Sequence, residues 1–176
     1  VLLLPPFYYK GPSDDGLFAF FDEVAKRVGG GIALYLYNFP QQSAVPFSLS
    51  LIGRLLDAHP GVFKGVKDSS GDYANMKAMI DAFASRGFEV YSGSDEYVQK
   101  ILAEGGAGCI TAASNCNSHW GGIVYRERTG PEADAARTDV DALVDRMGWS
   151  LDENTVSRRQ LVEVLAALKR LGSTCE

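Results

Sequence analysis

The sequence predicts an α/β fold built on a parallel sheet, and three observations carry that prediction. Apolar, β-rich runs alternate with amphipathic segments. The runs read without regular polar alternation, as strands covered on both faces do. Successive strand starts recur at about the length of one βα unit, with no sign of a reversal. Two architectures share this pattern: part of a (β/α)8 barrel, or a doubly wound sheet. No G-x-G-x-x-G follows the first strand, and Gly29 to Gly31 precede a strand rather than open a helix, so the dinucleotide-binding fold loses ground.

In chain order, "VLLL" (1–4) is the first strand. A helix follows from about Ser13 to Val28, with Leu17, Phe18, Phe21, Val24, Ala25 and Val28 at helical spacing, and the glycine run 29–31 stops it. "IALYLY" (32–37) is the second strand. A helix begins near Ser48, places Leu49, Ile52, Leu55 and Leu56 on one face, and ends before "HPG". "FKGVK" (63–67) is the third strand, after which Asp72 caps a helix carrying Met76, Met79, Ile80 and Phe83. "FEVYS" (88–92) and "GCIT" (108–111) are strands four and five, with a helix over roughly 95 to 104 between them. From Asn117 onward only helices are expected. The domain reading is a partial barrel over 1–130 and a helical extension over 131–176.

Composition narrows the function classes. A chain of 176 residues with 46% hydrophobic content can bury a substantial core. Seventeen basic against twenty-two acidic residues, a net charge of -5, give no electrostatic footprint for nucleic acid or an anionic membrane. Cys109, Cys116 and Cys175 are odd in number and lack CxxC spacing, which favours neither a disulfide framework nor a zinc site. The apolar runs are shorter than a membrane span, and "VLLLPPFYYK" has no basic start. A reducing cytoplasm is the expected location. The start at Val1, inside a strand-like run, is what a segment of a longer sequence would show.

Each strand runs straight into polar or aromatic residues: "PFYYK", "YNFP", "KDSSGD", "SGSDE" and "TAASN". In parallel α/β folds the carboxyl ends of neighbouring strands converge on one face, where active sites are built. Lys67 and Tyr37 are therefore expected to face each other from adjacent strands. A lysine stripped of part of its hydration favours the neutral amine, which attacks a carbonyl to form a Schiff base. A tyrosine in reach can carry protons to and from the departing oxygen. The plainer alternative is a strand-end lysine paired with Asp68 or another carboxylate. His59 and His119 are the only histidines and have no ligand cluster around them, so metal-dependent chemistry has little support.

Taken together, "PFYYKGPS", "YLYNFP", "GVKDSSGD", "YSGSDE" and "GAGCITAASN" resemble the dihydrodipicolinate synthase and N-acetylneuraminate lyase family of class I pyruvate-dependent aldolases, from Val1 to about Met147. The resemblance implies a (β/α)8 TIM-barrel family fold, here an incomplete barrel of about five βα units plus C-terminal helices. It implies Lys67 as the Schiff-base lysine, Tyr37 as the proton-shuttling phenol, and Tyr9 as a tyrosine that reaches a neighbouring subunit's site. Ile110 matches a position whose main-chain carbonyl lines the pocket. Gly93, Asp95 and Glu96 match a segment with which sugar-acid lyases hold substrate hydroxyls, and Ser69 is a candidate to donate or accept near the substrate, the plainer alternative being that it satisfies a turn. For Asp95 and Glu96 the plainer reading is an acidic first helical turn favoured by the helix dipole. Where the synthase branch carries an arginine able to hold a carboxylate, this chain has Gln42, which moves the expectation toward 2-keto-3-deoxy sugar acids and away from dihydrodipicolinate synthesis.

The implied partners are a 2-oxo acid, pyruvate, and an aldehyde, with no cofactor, no nucleic acid, no membrane, and a homo-oligomeric assembly, dimer or tetramer. The family's Gly- and Thr-rich carboxylate-binding motif lies on βα units that this sequence does not show. Five strands cannot close an eight-stranded barrel, and unpaired edges at "VLLL" and "GCIT" are expected to drive association. A non-catalytic half-barrel is the alternative from a different class.

Overall fold

The computed structural model describes residues 1–28, 31–112, 114–127, 131, 134 and 135. The chain divides into two compact units, Val1–Thr111 and Ala112–Glu176. In the first, β1 (Leu2–Leu3), α1 (Asp14–Val28), β2 (Leu34–Asn38), α2 (Pro40–Ser43), α3 (Leu49–Ala58), β3 (Phe63–Asp68), α4 (Tyr73–Phe83), β4 (Glu89–Ser92), α5 (Val98–Ala103) and β5 (Gly108–Cys109) follow one another. The five strands form one sheet in the order β1-β2-β3-β4-β5, and every neighbouring pair is parallel. Strands that are neighbours in both sequence and space, each linked through a helix, produce this order. In the second unit the described helix is α6 (Ser114–Glu127).

Local chemistry sets the helix starts. The Ser13 hydroxyl accepts from the Gly16 amide at 3.2 Å, and Asp14 and Asp15 in the first turn with Lys26 and Arg27 in the last complement the helix dipole. Ser48 caps α3 by accepting from the Leu51 amide at 3.0 Å, and Asp72 caps α4 by accepting from the Asn75 amide at 3.2 Å. Behind these caps the apolar stripes converge. Leu17 and Phe21 of α1, Leu51, Ile52 and Leu55 of α3, and Met76, Met79 and Ile80 of α4 bury against Leu34, Leu36, Val66 and Val90 of the sheet. Each fully buried side chain of this kind stabilises the fold by about 1.5–3 kcal/mol.

The sheet departs from the expectation of strands apolar on both faces. Residues of β2 alternate between buried and half-buried, because only Leu34, Leu36 and Asn38 point into the helical layer. Tyr35, Tyr37, Lys67, Glu89 and Tyr91 alternate onto the other face, where they are half-buried.

Other differences lie at element ends. β1 and β5 are two residues each, shorter than "VLLL" and "GCIT". The segment 95–104 opens with a 3-10 turn, Asp95–Tyr97, before α5 begins. The short helix α2 was not predicted; Pro40 starts it where a missing N–H costs nothing, and Ala44 ends it in a left-handed conformation at φ 55°. The helix expected from Asn117 begins at Ser114. Gly29, Gly30 and the helices expected beyond residue 135 lie outside the described residues. No helix among the described residues is long and apolar enough to cross a membrane.

Candidate active site

Strand register decides which side chains meet. Tyr37 of β2, Lys67 of β3 and Tyr91 of β4 are partners in one row, and Tyr35, Gly65 and Glu89 form the row beneath it. Both rows lie on the face turned away from the helices. In the upper row Lys67 Nζ donates to Tyr37 Oη at 3.0 Å and sits 4.3 Å from the centre of the same ring. The Tyr37 ring is stacked on Phe39 at 5.7 Å, which restricts how it can turn. An amine and a phenol held this way can pass a proton between them.

The residues next in sequence face the opposite way. Asn38, Asp68 and Ser92 form a register row on the helical side and are buried, with relative exposures of 1%, 1% and 0%. Asp68 Oδ2 accepts from Asn38 Nδ2 at 2.7 Å and from Asn75 Nδ2 at 2.8 Å, while Oδ1 accepts from the amide of Ser70 at 2.8 Å and from its hydroxyl. Asn38 Oδ1 accepts from the Phe47 amide at 3.2 Å. These bonds tie β2, β3 and α4 together immediately behind Lys67. Pairing of Lys67 with Asp68 is not what the structure shows, because the two side chains leave β3 on opposite faces.

The loops above the strands are held by bonds that extend the parallel ladder. Ser69 N donates to Asn38 O at 2.7 Å, Gly93 N to Asp68 O at 2.6 Å, and Ile110 N to Ser92 O at 2.8 Å. Gly93 is required for close approach: a Cβ there would lie 2.1 Å from Ser69 Oγ and 2.9 Å from Asp68 O. Asp95 Oδ1 accepts from Thr111 Oγ1 at 2.9 Å, linking the ends of β4 and β5. Glu96 is exposed and sits with Asp95 in the first turn after β4, the place the plainer dipole reading assigned to them.

Tyr9 stands apart. It is 76% exposed in the loop after β1, and no hydrogen bond or ring contact joins it to Lys67. Ile110 is 37% exposed at the end of β5. His59 is 2.8 Å from Asp22 on the helical side, and no group of three metal-ligating side chains occurs among the described residues.

Several polar residues of this region escaped the sequence reading. Tyr35 Oη and Tyr91 Oη both donate to Glu89 Oε2, at 2.7 and 3.0 Å. The Glu89 carboxylate that accepts its proton, with burial, pushes the Tyr35 phenol up to about 12. Gln41 Nε2 donates to the Ser70 carbonyl, bracing the loop after β2 against the loop after β3. The period-two alternation in "LYLYN" and "GVKD" was the available signal, since it separates Tyr35, Tyr37 and Lys67 from Asn38 and Asp68.

The model of the dihydrodipicolinate synthetase family matches residues 1–172. The chain belongs to this family. An uncharacterized DapA-like lyase of Chloroflexus aurantiacus is 34% identical over 146 residues, covering 82% of this chain and 48% of the relative. A 4-hydroxy-tetrahydrodipicolinate synthase of Listeria monocytogenes is 42% identical over 115 residues, 65% of this chain and 37% of its own length. This chain therefore spans half or less of these two relatives. Among solved structures, YagE, a prophage protein of E. coli K12 in complex with pyruvate, superposes with a TM-score of 0.79 at 19% identity, over 97% of this chain and 65% of that one. A 2-keto-3-deoxygluconate aldolase from Sulfolobus superposes with a TM-score of 0.73 at 17% identity, over 98% and 64%. At such identities the superpositions show the fold, that of the family's (β/α)8 barrel, of which the described residues supply five parallel strands.

Proposed function

We propose that the chain carries the imine-forming half of a pyruvate-dependent class I aldolase site, and that its substrate is a 2-oxo acid of the 2-keto-3-deoxy sugar type. The observation that carries this reading is the 3.0 Å contact between Lys67 Nζ and Tyr37 Oη at the carboxyl ends of adjacent strands. The neutral amine of Lys67 adds to the C2 carbonyl. Tyr37 donates a proton to the carbinolamine oxygen, water leaves, and the iminium forms. The electron pair of the C3–C4 bond then moves toward the iminium as the C4 hydroxyl gives its proton to a base, releasing an aldehyde and leaving an enamine. Protonation at C3 and hydrolysis return pyruvate and the free lysine.

Ser69, Gly93, Asp95 and Glu96 line the mouth where a polyol chain would lie, and carboxylates suit it because they accept from hydroxyl donors. Asp95 already accepts from Thr111, which aims one of its oxygens. In this reading Ile110 supplies a backbone carbonyl, and Tyr9, exposed on its loop, enters a second subunit's site in a homo-oligomer. The proposed setting is cytoplasmic, and the proposed division of the chain is a barrel portion over 1–130 followed by a helical extension.

A second reading, condensation of the dihydrodipicolinate synthase type, is favoured by the identity to the Listeria synthase. Gln42 weighs against it, since an exposed neutral amide there offers no charge to a carboxylate. Treating the protein with pyruvate and borohydride is expected to give a reduced adduct on the Lys67 peptide, lost in Lys67→Ala; a folded sample without adduct rules out catalysis by this chain. Retro-aldol rates on 2-keto-3-deoxy sugar acids should then exceed condensation with an aspartate semialdehyde.

A further inference from the structure

The row beneath Lys67 is polar where a barrel floor is ordinarily filled by branched apolar side chains. Its middle member is Gly65, where a Cβ would lie 2.2 Å from the Glu89 carbonyl oxygen and 2.9 Å from Tyr35 Cε1. The missing side chain lets the Tyr35 ring pass over β3. Its hydroxyl thereby reaches Glu89 on the far strand at 2.7 Å, and Tyr91 donates to the same oxygen at 3.0 Å. The two rings meet edge to face, 5.9 Å apart at 71°. One carboxylate oxygen thus binds side chains of β2 and β4 across the strand that carries Lys67.

Lys67 lies two residues beyond Gly65 on the same face, about 6.6 Å along the strand. Its stem rises with Tyr37 on one side, Tyr91 on the other, and this bonded layer below. A lysine stem is flexible and samples many rotamers unless its surroundings hold it. We propose that Tyr35, Glu89 and Tyr91 form a positioning unit, with Glu89 as its hub, that fixes the Lys67 stem so that Nζ stays against Tyr37. The unit's value to catalysis rests on the imine reading above, whereas the positioning does not. Two phenols converging on one carboxylate fix ring angles that an apolar filler would leave free.

The test compares Glu89→Leu, Tyr35→Phe and Glu89→Gln with the parent chain. Trace labelling with acetic anhydride, read lysine by lysine by mass spectrometry, uses exposed Lys10 and Lys64 as internal standards. Labelling of half-buried Lys67 is expected to rise severalfold toward the standards in Glu89→Leu, to rise less in Tyr35→Phe, and to return near the parent value in Glu89→Gln, which keeps an acceptor oxygen. With pyruvate and borohydride, the adduct rate at saturating pyruvate should fall about tenfold in Glu89→Leu with the half-saturating concentration unchanged. Unchanged Lys67 labelling in folded Glu89→Leu overturns the proposal, as does a Glu89→Gln chain disturbed as much as Glu89→Leu. If Glu89→Leu shows no cooperative melt, Tyr35→Phe decides, since it keeps the ring and removes only the hydroxyl. A parent chain whose labelling responds as expected but yields no adduct supports the positioning unit and sinks the imine reading alone.

Discussion

Asp68 holds the site from behind. Its carboxylate is buried at 1% exposure and takes its hydrogen bonds from Asn38, Asn75 and Ser70, all neutral donors. Asp68→Ala would leave the buried amide group of Asn38 without its acceptor, costing about 1–3 kcal/mol, whereas half-buried Asn75 can turn to water. The urea midpoint should fall accordingly, and a midpoint equal to the parent's would show that the network adds nothing. Tyr35 makes the pH-dependent case. Its folded value, raised to about 12 from 10.0 chiefly by its bond to Glu89, means that its stabilising contribution is complete below pH 10 and is lost as pH climbs toward 12. Tyrosinate absorbance should therefore include a late-titrating component that shrinks in Glu89→Leu, while Tyr73 and Tyr97, also raised by burial and nearby carboxylates, stay where they were; a profile that Glu89→Leu leaves unchanged contradicts this. From the sequence Lys67 and Tyr37 were legible, because strand ends in "GVKDSSGD" and "YLYNFP" place them side by side. Glu89 was not, because its meaning depends on a glycine and a tyrosine one and two strands away.

At the scale of elements, β3 depends on having no side chain at Gly65. The strand's register with β4 sets Gly65 opposite Glu89, and the added carbon of Gly65→Ala would strike that residue's backbone, which has no soft direction in which to move. The variant should lose on the order of 3 kcal/mol, and thermal unfolding measures it directly. Little or no change in the melting temperature would mean that the strands separate more easily than their register implies. The helices were well read from the sequence: α1, α3 and α4 begin beside Ser13, Ser48 and Asp72, since caps and apolar spacing act within one turn. α2 escaped because four residues carry no periodic signal, and β1 and β5 shrank because pairing of an edge is decided by its neighbours.

For the whole molecule, the described sheet ends at β1, whose outer edge pairs with no strand among the described residues and whose surroundings expose Val1, Leu2, Leu4, Phe7, Tyr8 and Tyr9. An apolar edge with unpaired backbone is a template for another chain. Sedimentation velocity on the 176-residue chain should show association that grows with concentration, and a monomer at every concentration would refute it. The sequence by itself determined the order of the five strands and of the longer helices between them, the parallel sheet, the family, and the pairing of Lys67 with Tyr37, because all of these follow from local spacing and linked motifs. Only the tertiary structure decided which residues of neighbouring strands share a row, that Asp68 gathers its bonds from Asn38 and Asn75, and that Tyr35 crosses Gly65 to reach Glu89. Those outcomes depend on register between strands far apart in sequence, and no local pattern encodes it.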